Sequence, residues 1–542
     1  MTDFYFEQLS SLAKVFPGKI YGDKINHGVC VKGQTVSYQI AIKGKGDYTF
    51  KIDSPLLDSI KTYRVGYVPS TLSAYPQAFD ENYITTEPGR FPDPLFPIEG
   101  NSFKLENEDF LTLWLNIWVK KDEKAGKYPI NVTFYKENEQ VGMSTYILEI
   151  KDEILPEQSL IFTQWFHTDC IADVHHTEVF SPLHWELIEK YVKIAADHGM
   201  NMILTPVLTP PLDTEVGGER TTVQLADIEK TDDGYIIDLS RLERFIDLCV
   251  ESGIKCFEVN HFFTQWGAKS APKVIARVNG EEKRIFGWET DASSPEYGEF
   301  LNALVPKIIE AFDKKGIDKT RLYFHVSDEP NESQLESYRV AASVLMPLVK
   351  GCNHMDALSH FEFYQEKLVP VPVVATNALD PFIKADVKDL WCYYCCAQAR
   401  TVANRFFAMP SYRNRIIGIQ LYKFNITGFL HWGYNFYNNR YSYDAINPYL
   451  YTDGEHFAPG GDTFSVYPSL NGTALSSLRF EIFHDALQDQ RALALCEKLY
   501  GREFVEKLIG DEFDSITFKN YPQNPEFILS FREKINQAIK NA

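Results

Sequence analysis

A regular alternation of strand-like and helix-like segments begins after Pro156, and it limits the possible folds more than any other feature of the chain. Short apolar runs rich in β-branched and aromatic residues predict strands. The longer segments between them repeat apolar residues at helical spacing. Eight such units precede residue 500. This pattern predicts a (β/α)8 TIM barrel over residues 156–500.

The predicted barrel strands alternate with helices, and the fifth strand has the weakest pattern. The strands are Leu160–His167, Met200–Pro206, Lys255–His261, Arg321–Ser327, His354–Ser359, Val371–Asn377, Asp389–Cys396 and Gly428–Tyr434. The main helices are Leu183–His198, Arg241–Ser252, Tyr297–Lys315, Glu332–Val349, Arg413–Asn425 and Ser476–Tyr500.

The region before the barrel has a different pattern. Residues 1–155 contain short segments that alternate apolar and polar residues between turns rich in Gly, Pro, Asp and Asn, which predicts an antiparallel β-sandwich. Residues 501–542 predict a C-terminal helical extension. The strongest sandwich strands are Thr35–Ile42, Tyr63–Val68, Leu111–Val119, Tyr128–Tyr135 and Ser144–Ile150.

Composition narrows the class of partner. A chain of 542 residues with a net charge of -20 lacks the basic balance of a nucleic-acid binder. The aromatic content of 14% suits either sugar stacking or a large core. No stretch approaches the ~20 apolar residues of a membrane span. The pattern leaves the oligomeric state open.

The N-terminus lacks the basic and apolar segments of a secretion signal, so we expect a cytoplasmic protein, or a secreted one if a leader has been removed. Nine cysteines, an odd number in apolar segments, fit reduced thiols. Cys392, Cys395 and Cys396 form a CxxCC cluster, but a second ligand pair with matching spacing is missing. We therefore expect no metal and no cofactor.

Two adjacent carboxylates, Asp328 and Glu329, follow the fourth predicted strand and precede Pro330. A solvated loop is the plain interpretation of such a dipeptide. In a TIM barrel, however, the active site forms where the strands end, so Asp328 and Glu329 become the candidate catalytic residues.

Other polar and aromatic residues follow neighbouring strands at the same predicted rim. Each of them alone could be structural, but as a ring they predict substrate binding. The candidates are His167, Asn260, His261, Asn377, Tyr394, Trp432, Tyr434 and Asn435, and Asp169 follows the first strand. Trp432 is the candidate for stacking on a sugar ring.

The seventh strand decides between mechanisms. A retaining glycosidase normally uses two carboxyl groups about 5 Å apart, and in a barrel with its acid after strand four the nucleophile follows strand seven. Residues 391–398 contain no Asp or Glu. This absence favours substrate assistance, in which the 2-acetamido oxygen of an N-acetylhexosamine attacks its own anomeric carbon. Tyr394 or Tyr434 would then bind the acetamido carbonyl.

Two alternatives stay open. One is a glycosidase for a sugar without an acetamido group, with a loop carboxylate such as Glu289 or Asp291 as nucleophile. The other is a glycan-binding barrel without catalytic activity.

Several motifs along the chain resemble glycoside hydrolase family 123 and the wider group named after domain of unknown function 4091. They are Gly89–Pro97, Tyr323–Pro330, Trp391–Cys396, Arg415 with Gly428–Gly433, and Ser477–Glu481 with His484–Asp489. The resemblance implies a β-N-acetylgalactosaminidase-like enzyme that acts on an oligosaccharide or glycoconjugate. It further implies that Asp328 orients the acetamido group and that Glu329 is the general acid/base.

Overall fold

The computed structural model describes residues 4–106 and 109–539. The first residues of the predicted sandwich, 1–3, and the last of the predicted tail, 540–542, lie outside the described residues. The predicted order of sandwich, barrel and helical tail is confirmed. None of the described helices has the length and apolar character needed to cross a bilayer.

The N-terminal region is a sandwich built around one long strand. Its strands are β1 Phe4–Ser10, β2 Lys14–Val15, β3 Ile20–Tyr21, β4 His27–Lys32, β5 Thr35–Asp53, β6 Ile60–Ser70, β7 Gly89–Pro97, β8 Ser102–Glu106, β9 Leu111–Trp118, β10 Gly126–Lys136 and β11 Glu139–Ile154. The first part of β5 pairs with β1 and β9, and its second part pairs with β8 and β10. The two layers share one core, in which the rings of Tyr38 and Tyr146 stack 4.4 Å apart.

One pairing departs from the predicted antiparallel arrangement, because β4 runs parallel to β11. More than a hundred residues separate these strands, so no hairpin fixes their relative direction.

The second region holds the barrel and three short hairpins. Its strands are β12 Ile161–Gln164, β13 Met202–Thr205, β14 Asp227–Thr231, β15 Gly234–Asp238, β16 Cys256–Val259, β17 Val274–Val278, β18 Glu281–Phe286, β19 Leu322–Phe324, β20 Asn353–Leu358, β21 Val371–Ala375, β22 Trp391–Tyr393, β23 Gly428–His431, β24 Tyr467–Pro468 and β25 Ala474–Leu475. Eight of them form a parallel sheet in the order β12-β23-β22-β21-β20-β19-β16-β13, and β12 lies beside β13, which closes the barrel.

The helices surround the barrel and continue into the tail. They are α1 Thr168–Val174, α2 Pro182–Asp197, α3 Ser240–Ser252, α4 Pro295–Lys314, α5 Leu335–Leu345, α6 Glu362–Gln365, α7 Asp380–Lys384, α8 Ser411–Arg415, α9 Ile417–Lys423, α10 Leu478–Tyr500, α11 Arg502–Ile509, α12 Asp511–Ser515 and α13 Pro525–Ile539. The tail helix α13 packs on β4 and β11 of the sandwich as well as on α10. The domain boundaries at residues 155 and 500 stay a prediction.

The insertions after the second and third barrel strands contain four strands that the sequence analysis does not predict. Strands β14, β15, β17 and β18 form a small separate sheet. Gly280 lies in the β17–β18 turn and Gly234 directly follows the β14–β15 turn, both with positive φ, and the Asn-Gly and Asp-Gly pairs there are local signals of a hairpin.

The strand before the acid pair is shorter than predicted. It ends at Phe324 because Asp356 Oδ2 accepts hydrogen bonds from the backbone N–H groups of Val326 and Ser327, at 3.2 and 3.4 Å. A side chain thus replaces the neighbouring strand as the partner of this backbone, and the chain turns away from the sheet toward the barrel mouth.

Candidate active site

Asp328 and Glu329 lie in the turn after β19, at the end of the barrel where the strands finish. Glu329 has a φ of 41°, a left-handed conformation that is uncommon outside glycine. Both backbones are held, since Glu329 N–H donates to Ala357 O at 3.1 Å and Trp266 N–H donates to Asp328 O at 3.2 Å. A strained residue that its surroundings fix in this way is typical of a functional site.

The two carboxyl groups have different surroundings. Burial raises the pKa of Asp328 well above its usual range, and the charges of Glu329 and Asp213 raise it further, while His325 lowers it. The Glu329 side chain is accessible from the mouth, but the protein around it still desolvates its carboxyl and raises the pKa; a hydrogen bond from Tyr393 opposes that rise. The raised pKa of Glu329 favours its protonated form, as a proton donor requires.

Tyr393, the last residue of β22, donates its hydroxyl to Glu329 Oε1. The sequence predicts that Tyr394 or Tyr434 binds the acetamido carbonyl, but the structure does not bring Tyr394, the neighbour of Tyr393, to the acid pair. Because side chains alternate along a strand, Tyr394 points outward and donates to Asn414 Oδ1 on α8 at 3.1 Å.

Two further carboxylates reach the mouth from loops. Asp213, after β13, has a φ of 46°; its N–H donates to Gln265 Oε1 and its carbonyl accepts from Ser442 Oγ, both at 2.8 Å. Burial raises the pKa of Asp213 to about 7, Arg220 lowers it and Glu329 raises it. Sequence reasoning missed Asp213 because no strand ends at it.

Asp462 is the second of these loop carboxylates. It is fully buried and accepts a hydrogen bond from Trp432 Nε1 at 2.9 Å. Burial raises the pKa of Asp462 to about 6, although Arg405 lowers it. Trp432 itself packs against Phe436 and Phe457 on the inner side of the mouth and keeps only 8% of its surface exposed.

Several candidate binding residues hold the loops together instead of lining the mouth. Asn435 Oδ1 accepts from His167 N–H at 2.8 Å, and Asn435 Nδ2 donates to His167 O at 2.9 Å. Asn260 Oδ1 accepts from Leu208 N–H at 2.9 Å, and this bond joins the loop after β16 to the loop after β13. Tyr434 points into the helix layer and donates to Tyr191 O at 2.9 Å.

Asn377 is exposed at the rim and accepts a hydrogen bond from Gln398 Nε2 at 3.2 Å. His167 also accepts a hydrogen bond from Arg220, and Arg220 forms a buried ion pair with Asp169 at 2.7 Å. These three residues therefore stabilise the loops behind the mouth.

The buried group His261, His325 and Asp356 has the residue types of a metal site. The two imidazole rings, however, stack with centroids 4.1 Å apart and planes only 21° from parallel. A metal ion must lie in the plane of each imidazole that binds it, and planes this close to parallel do not meet near the nitrogens. The geometry therefore does not fit a metal. Within the described residues, the CxxCC cysteines join no group that could hold an ion.

The loop carboxylates of the alternative mechanism, Glu289 and Asp291, bind other groups at the protein surface. Glu289 pairs with Arg284 at 3.3 Å, and Asp291 Oδ1 accepts from Ser293 N–H at 2.7 Å. The loop carboxylates whose charges act on the acid pair are Asp213, which raises the pKa of Asp328, and Asp462, which raises the pKa of Glu329.

Comparison with known proteins identifies the family of the chain. The sequence model of the glycoside hydrolase 123 catalytic domain matches residues 165–496, more than half of the chain. The structure is similar to that of a family 123 glycoside hydrolase from Clostridium perfringens, solved to study glycolipid glycan hydrolysis, with a TM-score of 0.75, 13% identity, and 99% of this chain and 98% of that one covered. A GH5 xyloglucanase from Bacteroides ovatus matches with a TM-score of 0.31 and 9% identity, with 85% of this chain and 98% of that one covered. No curated protein sequence matches the chain.

Proposed function

The chain belongs to glycoside hydrolase family 123, and we propose that it is an exo-acting β-N-acetylhexosaminidase of the β-N-acetylgalactosaminidase type with a retaining, substrate-assisted mechanism. One observation carries the proposal. Strand β22 presents Tyr393 to the acid pair, at the position where a protein nucleophile would otherwise stand. Both carboxylates of the reaction then come from the turn after β19.

The proposed first step divides the roles of the pair. The 2-acetamido oxygen attacks the anomeric carbon while Glu329 protonates the departing glycosidic oxygen. Asp328 accepts a hydrogen bond from the acetamido N–H and stabilises the positive charge of the cyclic intermediate. In the second step, Glu329 takes a proton from water, and the water oxygen attacks the anomeric carbon. The bond from that carbon to the acetamido oxygen breaks, which restores the acetamido group and gives the sugar with retained configuration.

The substrate we propose is the terminal N-acetylhexosamine of an oligosaccharide or glycoconjugate, with glycolipid glycans as the first class to test, since they are the substrates of the Clostridium perfringens relative. Trp432 offers an aromatic wall at the mouth, and Asp213 offers a carboxylate that can bind sugar hydroxyls.

The test is Glu329→Gln, assayed with an aryl N-acetyl-β-galactosaminide. We expect kcat/KM to fall by about 10²–10⁴-fold, the usual contribution of a general acid/base. A dinitrophenyl leaving group needs little protonation and should recover the first step. The matched control is Glu332→Gln, the same change three residues away, where the side chain is 70% exposed. Full activity in Glu329→Gln would disprove the assignment.

A second candidate function rests on Asp213. If the sugar carries no acetamido group, we propose Asp213 as the nucleophile, because its charge acts on both members of the acid pair. A 2-fluoro glycoside would then trap a covalent adduct on the peptide that contains Asp213, as detected by mass spectrometry. Under the favoured mechanism no adduct forms. Glycan binding without hydrolysis would contradict both and identify a binding protein.

A further inference from the structure

A row of buried ionisable side chains crosses the barrel interior. Its central member is His325, three residues before Asp328 in the sequence. His325 lies between two carboxylates, with Nε2 2.7 Å from Glu258 Oε1 and Nδ1 2.9 Å from Asp356 Oδ1. The side chains of His325, Glu258 and Asp356 are all fully buried. None of these three side chains takes part directly in the proposed reaction.

The geometry fixes the protonation of His325. A neutral imidazole donates from one nitrogen only, so its other nitrogen would face the lone pairs of a carboxylate. Other donors already surround the oxygens of Glu258. Oε1 also accepts from Trp165 Nε1 at 2.6 Å, and Oε2 lies 2.9 Å from Thr163 Oγ1. With a carboxylate group on each side, both ring nitrogens of His325 are placed to donate, which favours the imidazolium.

Asp356 connects the imidazolium to the catalytic turn. Its Oδ1 binds His325, while its Oδ2 accepts from the hydroxyl of Tyr338 and from the backbone N–H groups of Val326 and Ser327. These two backbone groups lead directly into the acid pair. The orientation of the turn thus depends on a carboxylate whose own position depends on His325.

We propose that His325 is a protonated positioning residue: its imidazolium, held between Glu258 and Asp356, fixes the turn that carries the acid pair and favours the ionised form of Asp328 against the burial and neighbouring carboxyl groups that oppose it. This inference rests on the proposed function, which requires Asp328 as an anion and Glu329 as an acid. Burial lowers the pKa of His325, but its hydrogen bonds to Asp356 and Glu258 prevail and raise the pKa to about 9.

The other ionisable groups around His325 agree with this assignment. They come from β16, β20, α5 and the adjoining loops, and they are Glu258, His261, His354, Asp356, Tyr338 and Asp328. His261 stacks on His325, and its pKa is held well below the usual range by burial and by the neighbouring imidazolium. The carboxyl groups of Glu329 and Asp213 raise the pKa of Asp328 and His325 lowers it, so loss of the imidazolium would favour protonation of Asp328.

The first test measures the protonation state and does not depend on any substrate. Protein labelled with ¹⁵N at histidine is followed by NMR from pH 5 to 8.5, and the His325 signals are assigned by their shift in Glu258→Gln. We expect both ring nitrogens to stay protonated up to at least pH 8. A neutral tautomer at pH 7 would overturn the inference, whether or not the protein hydrolyses glycosides.

The second test measures the consequence for the reaction. In His325→Gln we expect kcat/KM to fall by about 10²-fold, mainly in kcat, because the acid pair is displaced. The acidic limb of the pH profile should move to higher pH because Asp328 becomes easier to protonate. An unmoved acidic limb would refute the electrostatic role.

The matched control is His354→Gln. His354 is also buried and contacts Asp356 at 3.3 Å, but it does not bridge two carboxylates. We expect the acidic limb to stay in place in this variant. If His325→Gln does not fold, Glu258→Gln gives the same readout, because removal of that carboxylate also removes the reason for His325 to stay charged. If the wild-type protein shows no hydrolysis, the proposed function fails while the NMR result still decides the charge of His325.

Discussion

Replacing Asp93 with asparagine should destabilise the protein strongly, because this residue is the buried counterion between sandwich and barrel. Asp93 lies on β7, fully buried, and its carboxylate accepts from Arg479 Nε and Nη2 at 3.0 and 2.8 Å and from Tyr467 OH at 2.6 Å. Breaking a buried ion pair from one side costs about 3–5 kcal/mol. Three hydrogen bonds to a charged acceptor, at roughly 1.5 kcal/mol each, give the same range. We therefore expect Asp93→Asn to lower the free energy of unfolding by about 3–5 kcal/mol.

The measurement is urea unfolding followed by tryptophan fluorescence and by circular dichroism, with the change read from the midpoint at a constant m-value. The control is Asp109→Asn, which removes a surface carboxylate 2.7 Å from Arg90. An exposed pair contributes only about 0–1 kcal/mol. If both variants unfold at the same urea concentration, the buried pair does not hold the two regions together and the reasoning is refuted.

Two other substitutions test the site and the packing behind it. Tyr393→Phe removes the hydroxyl that stabilises the Glu329 carboxylate, so we expect the pKa of Glu329 to rise and the basic limb of the kcat/KM–pH profile to move to higher pH. The control is Tyr394→Phe, which should leave the basic limb unchanged and lower the free energy of unfolding by about 1 kcal/mol. A basic limb that moves down would contradict the role of Tyr393. Gly418→Ala places a Cβ 2.1 Å from Ala486 O, so α9 and α10 must separate. We expect the free energy of unfolding to fall by about 1–3 kcal/mol, measured by thermal unfolding. An unchanged melting temperature would contradict that contact.

The sequence predicted the parts of the site that depend on local pattern. The order of barrel elements follows from hydrophobic periodicity, and Asp328 with Glu329 stood out because two acids end an apolar strand. The choice of Tyr394 over Tyr393 failed for a physical reason. Strand β22 is apolar on both faces, as is common for parallel strands covered by helices, so no alternation shows which tyrosine points inward.

Asp213 and Asp462 could not be predicted for a different reason. Each lies in a long loop, and its approach to the acid pair depends on contacts that are distant in sequence, such as Ser442 with Asp213 and Trp432 with Asp462. A local pattern gives the end of a strand, but it does not give the direction of a loop.

The position of Arg479 suggests why the sandwich is attached to the barrel. Besides Asp93, Arg479 donates to the carbonyls of Gly461 and Phe464, at 2.6 and 2.9 Å, on either side of Asp462. Asp462 in turn holds the indole of Trp432 at the mouth. A carboxylate in the sandwich therefore fixes, through one guanidinium, the loop that orients the aromatic wall of the candidate active site. Because this path runs through buried charge-assisted bonds, loss of the sandwich contact should disturb the mouth before it unfolds the barrel.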